Sequence, residues 1–161
     1  MRYRTGIGQD SHRFEEENTS KRCIIAGLEF NNVPGFSANS DGDVIFHALC
    51  NAITTVTGVP ILGAIADKLC LKEGITDSEV FLKEALKTLG KQKIAHISIT
   101  LEGKRPKFKE RTGEICSNIA RVCGINPSQV GLMATTGEEL TSFGKGEGVQ
   151  CICIVTTEEA I

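Results

Sequence analysis

Along one stretch of the chain, Ile45, Ala48, Leu49, Ala52, Ile53 and Val56 recur every three or four positions. That spacing gathers them on one side of a helix. A helix over 41–58 with this stripe has to lie on a sheet or on other helices. Ser40 reads as its N-cap, Asp41 and Asp43 fall in the first turn where the helix dipole favours acids, and Gly58-Val-Pro60 ends it.

What it lies on is legible in the flanks. Residues 2–10, Cys23–Phe30, Ile94–Leu101, Val130–Thr136 and Gly148–Thr157 read as strands. A second helix runs from Thr76 or Asp77 to about Leu89, and a third from Phe108 to about Cys123; Ile61–Leu71 suits a short helix, and Asn126-Pro-Ser-Gln a turn. Alternating strands and helices predict an α/β (α+β) fold, a mixed sheet with helices on one side. At 161 residues and 40% hydrophobic content, one compact domain over 1–161 accounts for the chain.

Composition narrows the function. A net charge of −2 speaks against a general nucleic-acid binder. No apolar run approaches the roughly 20 residues that cross a bilayer, and Met-Arg-Tyr-Arg-Thr-Gly lacks the build of a signal peptide. Seven cysteines, an odd number without a C-x-x-C pair, read as reduced thiols of a cytoplasmic protein. Cys151 and Cys153 would share a strand face, but two further thiolates at zinc-ligand spacing are missing.

Asp10-Ser11-His12 closes the first strand, and alternate residues of a strand share a face. A carboxylate and an imidazole therefore project together. His47 lies on the helix after Ser40, in a polar line with Asp43 and Asn51 at i, i+4, i+8. One carboxylate and two imidazoles are the three protein ligands of a catalytic metal site with an open position, of a type suiting Zn²⁺ or Mn²⁺. By spacing alone, the same residues also suit ordinary polar positions. His96 reads as structural.

Three segments suit phosphate. Asn39-Ser40-Asp-Gly42-Asp sits at a helix start, where free backbone N–H groups bind anions or simply cap the helix. From Gly103 to Arg111, five cations lie in nine residues where a helix begins, against its dipole, which favours an anionic ligand. Ala134-Thr-Thr-Gly-Glu138 and Gly144-Lys-Gly-Glu-Gly148 offer hydroxyls, a carboxylate and a glycine-rich loop, suited to phosphate and an oxygen-ligated cation. Neither a P-loop nor a dinucleotide fingerprint is present.

Gly8-Gln-Asp10-Ser-His12-Arg-Phe14, Ser40-Asp-Gly-Asp-Val-Ile-Phe-His47-Ala-Leu, Pro106-Lys107, Ala134-Thr-Thr-Gly-Glu138 and Gly144-Lys-Gly-Glu-Gly148 resemble, in order and spacing, the 2-C-methyl-D-erythritol 2,4-cyclodiphosphate synthases. The resemblance spans nearly the whole chain. It implies a homotrimer with active sites at subunit interfaces. The implied reaction, a step of the non-mevalonate isoprenoid pathway, turns 4-diphosphocytidyl-2-C-methyl-D-erythritol 2-phosphate into the cyclic diphosphate and CMP. It implies Zn²⁺ (or Mn²⁺) on Asp10, His12 and His47, and Mg²⁺ or Mn²⁺ between the substrate phosphates near Glu138. Asn39 and Ser40 would meet the methylerythritol end, beside Ser11. Thr135, Thr136 and Gly137 would meet the diphosphate, with Asn39, Thr136 and Glu138 serving catalysis. Gly103, Lys104, Arg105, Pro106, Lys107, Phe108 and Lys109 would recognise cytosine. Lys145 stands where the family has an Arg facing the trimer interior.

Besides Lys145, the chain departs from the pattern at three places. Asn39 replaces a His, and Asn51 an Asp. The ribose-binding aspartate falls on Ala64, with Asp67 three residues on as the candidate substitute. A metal-dependent phosphohydrolase or cyclase for another nucleotide diphosphate, and a non-catalytic trimeric binding protein, are the alternative readings.

Overall fold

The computed structural model describes residues 1–161. Its elements are β1 (Arg2–Arg13), β2 (Cys23–Ile25), β3 (Leu28–Phe30), α1 (Val44–Thr57), α2 (Ala64–Asp67), α3 (Ser78–Lys87), β4 (Lys93–Glu102), α4 (Thr112–Cys123), β5 (Val130–Thr135) and β6 (Gly148–Glu159). Four strands form a mixed sheet in the order β1-β6-β4-β5, with β4 and β5 parallel and the other pairs antiparallel. α1 lies on β1 and β6, α3 packs on α1, and α4 borders α3 and β5. The helices thus cover one face, and the α/β fold is as the sequence reads.

The apolar stripe of α1 is buried along its length, together with Val44, Phe46 and His47. The facing strand explains how the helix comes so close. In β1 the positions turned toward α1 are Gly6, Gly8, Asp10 and His12, paired with core-facing Val155, Cys153, Cys151 and Val149 of β6. A Cβ on Gly8 would overlap the Ala48 carbonyl and the Ala52 backbone nitrogen, and one on Gly6 would overlap the Ala52 carbonyl. Two glycines let the backbones touch, and the next two residues on that face become the site.

Gly8→Ala is therefore expected to push α1 off the strand and destabilise the fold by about 3 kcal/mol, the upper range for overpacking. Urea denaturation of the variant checks this. An unchanged midpoint would show that the helix yields without cost.

Several boundaries differ from the sequence reading. The helix starts at Val44, and its N-cap is Asp43, not Ser40. Asp43 carries no first-turn charge at the surface. It is fully buried, and its carboxylate accepts the N–H groups of Ala26, Gly27, Ile45 and Phe46. Burial of four donors around one acceptor outweighs the exposed polar stripe assumed for it. The strand read over Cys23–Phe30 is a hairpin, β2–β3, turning at Ala26 and Gly27, both at positive φ. The Asp43 carboxylate takes the N–H groups of that turn, which explains how Ala26 is held in the left-handed region. The helix read from Phe108 is a 3-10 turn over Phe108–Arg111 followed by α4. Ile61–Leu71 divides into α2 and a π turn over Lys68–Lys72.

Candidate metal centre and phosphate loops

Asp10, His12 and His47 converge, with one potential ligand atom from each lying within 4.8 Å of the others. Asp10 Oδ2 sits 3.1 Å from His12 Nδ1 and 3.3 Å from His47 Nδ1. It is out of solvent, yet neither approach meets hydrogen-bond geometry, so it has no donor. A buried carboxylate oxygen without a donor is costly unless a cation satisfies it. Burial pushes the Asp10 carboxyl up, but the adjacent imidazoles outweigh this and hold it below its ordinary value. Burial opposes the charge on His12, and the Asp10 carboxylate together with the Ser11 carbonyl overcomes it, raising the imidazole. The donor set and the orphaned oxygen fit a divalent metal.

The supports of the two rings differ. His12 Nδ1 lies 2.7 Å from the Ser11 carbonyl, which can only accept, so Nδ1 carries the proton and Nε2 the lone pair. His12 packs its edge against Phe36, which stacks on Phe14. Gly42, at φ 75°, leaves the room this needs, since a Cβ there would lie 2.6 Å from Phe36 Cβ and 3.0 Å from His12 Cδ2. His47 Nε2 lies 2.8 Å from Ser78 Oγ and 3.4 Å from Ser40 Oγ. The polar line through Asp43, His47 and Asn51 is not one surface. Asp43 is internal, His47 faces the metal cluster, and Asn51 donates to the Gln9 carbonyl.

Most of the N–H groups that the sequence reading left free in the loop before α1 are taken, those of Asn39, Ser40 and Val44 excepted. Asp41 N–H goes to the Thr76 carbonyl, Gly42 N–H to Ser40 Oγ, Asp43 N–H to Asp41, and Ile45 and Phe46 N–H to Asp43. Of the two residues expected to meet substrate there, Ser40 is buried against the His47 ring and Asn39 is exposed.

The basic segment also has internal partners. Lys104 pairs with Glu139. Arg105 pairs with Glu17 and lies over the Phe14 ring, and Arg111 pairs with Glu114 and lies over Phe30. The dipole argument for an anion loses that share of its force: Lys104 and Arg105 lie away from the start of α4, and Arg111, its N-cap, is neutralised by Glu114 in the first turn. Lys107, Lys109 and Lys145 are exposed and make no ion pair. Pro106, Phe108 and Gly103 are buried, and Gly103 N–H donates to the Thr135 carbonyl. Residues 103–109 and the turn after β5 thus form one loop cluster. In that turn Gly137, Glu138 and Glu139 all have positive φ, of 55°, 57° and 59°. Two consecutive left-handed glutamates are strained, by about 1 kcal/mol or more each. Thr135, Thr136 and Glu138 are exposed there.

Sheet register separates Thr135 from the metal centre. Ser11 pairs with Gln150, Gln150 with Glu102, and Glu102 with Thr135. Three strand spacings put Thr135 about 14 Å from Ser11.

No cysteine joins a metal cluster. Cys151 and Cys153 share the buried face, all seven thiols are free, and burial pushes Cys23, Cys123 and Cys153 up to about 12. His96 lies at an exposed bulge of β4 against Ser98. Asp67 is exposed on α2. The sequence reading missed Ser78, a buried hydroxyl at the first position of α3, because a serine after an N-cap carries no signal of its own.

Residues 3–158 match the YgbB family. The 2-C-methyl-D-erythritol 2,4-cyclodiphosphate synthase of Chlamydia caviae is 54% identical over 158 residues, 98% of this chain and 90% of that protein. The bifunctional IspDF of Campylobacter jejuni superposes with a TM-score of 0.87 at 28% identity, covering 99% of this chain and 43% of the longer one. IspF of Plasmodium falciparum, solved in complex with CDP, superposes with a TM-score of 0.83 at 25% identity over 99% and 97% of the two chains. Fold, site geometry and sequence agree: the chain belongs to the YgbB family, and its role is that of an isoprenoid-pathway cyclodiphosphate synthase.

Proposed function

We propose that the protein is a metal-dependent phosphorus–oxygen lyase. It would convert 4-diphosphocytidyl-2-C-methyl-D-erythritol 2-phosphate to 2-C-methyl-D-erythritol 2,4-cyclodiphosphate and CMP. The observation that carries this reading is the donorless Asp10 Oδ2 between two imidazoles, in a chain 54% identical to a synthase so named. In the reaction an oxygen of the 2-phosphate attacks the β-phosphorus. The bond from that phosphorus to the oxygen bridging to CMP breaks, and CMP leaves with the electron pair. Two anions must approach each other, so the protein's work is positioning and charge neutralisation.

Asp10, His12 and His47 would hold Zn²⁺ or Mn²⁺, and Glu138 would help to hold Mg²⁺ or Mn²⁺; such cations supply Lewis-acid charge neutralisation on phosphate oxygens. The residues of this chain do the rest. Exposed Thr135 and Thr136 offer hydroxyls to the diphosphate, and Gly137 bends the chain there. Lys107, Lys109 and Lys145, free of internal partners, are available to anions. The strain at Glu138 supports a role beyond the fold, since a turn selected only for stability would place glycine there. Backbone groups of 103–109 would read the cytosine, the base of the CDP seen with the Plasmodium protein.

The 14 Å between the Ser11 and Thr135 rows bears on assembly. A substrate phosphate at the metal centre is then far from Thr135 of the same protomer. A second copy supplying the turn resolves this, so the reading includes a homotrimer with interfacial sites. Ile7, Ile152, Ile154 and Met133, exposed on the helix-free sheet face, supply apolar surface for the contact. Seven free thiols favour a reducing compartment such as the cytoplasm.

Phosphorus NMR of the protein with this substrate, Zn²⁺ and Mg²⁺ tests the reading. Stoichiometric cyclic diphosphate and CMP are expected. Bound metal without product would transfer the reading to another nucleotide diphosphate, with the altered segment around Asp67 as the reason.

A further inference from the structure

The support of His47 reaches beyond the metal centre. Ser78 is fully buried, and its hydroxyl touches two groups, His47 Nε2 at 2.8 Å and Asp41 Oδ1. The Asp41 carboxylate is acceptor-only and is fixed by two backbone donors. Ser78 N–H reaches Oδ2 at 3.0 Å, and Asp43 N–H reaches Oδ1 at 3.0 Å. A serine hydroxyl has one proton. With Asp41 taking it, Ser78 Oγ can only accept from His47, so Nε2 must carry the ring proton. The lone pair is then on Nδ1, the nitrogen 3.3 Å from Asp10 Oδ2.

We propose that Asp41 and Ser78 are positioning residues that lock His47 in the tautomer and orientation needed to bind the metal through Nδ1. This rests on the metal reading above. The relay couples two distant pieces of chain. Asp41 N–H is held by the Thr76 carbonyl, so the metal centre depends on the register of α3 and of the segment leading into it. That dependence is physical and specific: the only polar partners of His47 Nε2 are the hydroxyls of Ser78 and Ser40, and Ser40, at 3.4 Å, is the weaker contact.

The test measures zinc affinity by competition with a chromophoric chelator at fixed pH, for wild type, Ser78→Ala and Asp41→Asn. Loss of a hydrogen bond behind a metal ligand typically weakens binding about 10- to 100-fold. Ser78→Ala is expected to fall in that range, and Asp41→Asn, which keeps an acceptor but loses its charge, between it and wild type. In zinc-loaded wild type, nitrogen-15 NMR of the His47 ring should show a metal-bound Nδ1 and a protonated Nε2. Ser78→Ala binding zinc within twofold of wild type would overturn the proposal. So would a ring protonated at Nδ1, a readout that needs no variant and stands even if Ser78→Ala folds poorly. Wild type binding no zinc would instead sink the metal reading itself.

Discussion

Asp10→Asn is expected to abolish the heat-stability gain that zinc gives the wild type, and with it the activity. A metal bound to the folded state alone stabilises by RT ln(1 + [L]/Kd), about 2.7 kcal/mol at a free concentration of a hundred Kd. For a chain of this length that corresponds to a rise in Tm of roughly 5–10 °C. The asparagine keeps the shape of the side chain but replaces an anionic ligand by a neutral amide, facing His12 Nδ1 and His47 Nδ1 at 3.1 and 3.3 Å. Differential scanning fluorimetry with and without Zn²⁺ reads the shift. The same variant should lose about a thousandfold in kcat/KM, since a Lewis acid on a reacting phosphate contributes several kcal/mol. Chelation of wild type should reproduce the loss, and added Zn²⁺ or Mn²⁺ should reverse it. A zinc-dependent Tm rise of wild-type size in Asp10→Asn would place the metal elsewhere and remove the reading.

Much of this was open to the sequence, for particular reasons. The stripe Ile45–Val56 identified α1 because burial on one side leaves a 3.6-residue period, and Asp10 and His12 were assigned to one face because strands alternate. What escaped was whatever depends on contacts between distant segments. Asp43 reads as a surface acid until the β2–β3 turn closes on it across 16 and 17 residues. Lys104 and Arg105 read as anion ligands until Glu139 and Glu17 arrive. Gly6 and Gly8 carry no sign in the sequence of their role, although they set the distance between α1 and β1 and hence that from His47 to Asp10. Ser78 reads as nothing in particular, because its partners, Asp41 and His47, lie 37 and 31 positions away. The candidate metal ligands are legible because their chemistry is carried by residue type, and their support is not because it is carried by topology.

The same topology yields the sharpest expectation about assembly. If each site joins the metal centre of one protomer to the Thr135–Glu138 turn of the next, Asp10→Ala and Glu138→Ala disable different halves of the site. Each variant alone should be inactive. In trimers co-assembled from equal amounts of the two, a site works only when the metal half comes from a Glu138→Ala protomer and the turn from an Asp10→Ala protomer. Random cyclic assembly makes that about one quarter of all sites. Activity should therefore rise from near zero to about a quarter of wild type on co-expression or co-refolding, with sedimentation verifying the trimer. A site contained in one protomer gives no recovery at any mixing ratio, because every site then keeps one lesion. The 14 Å between the Ser11 and Thr135 rows, set by hydrogen-bonded strands, is the observation that favours a neighbour's turn at each site, and the mixed trimers test it.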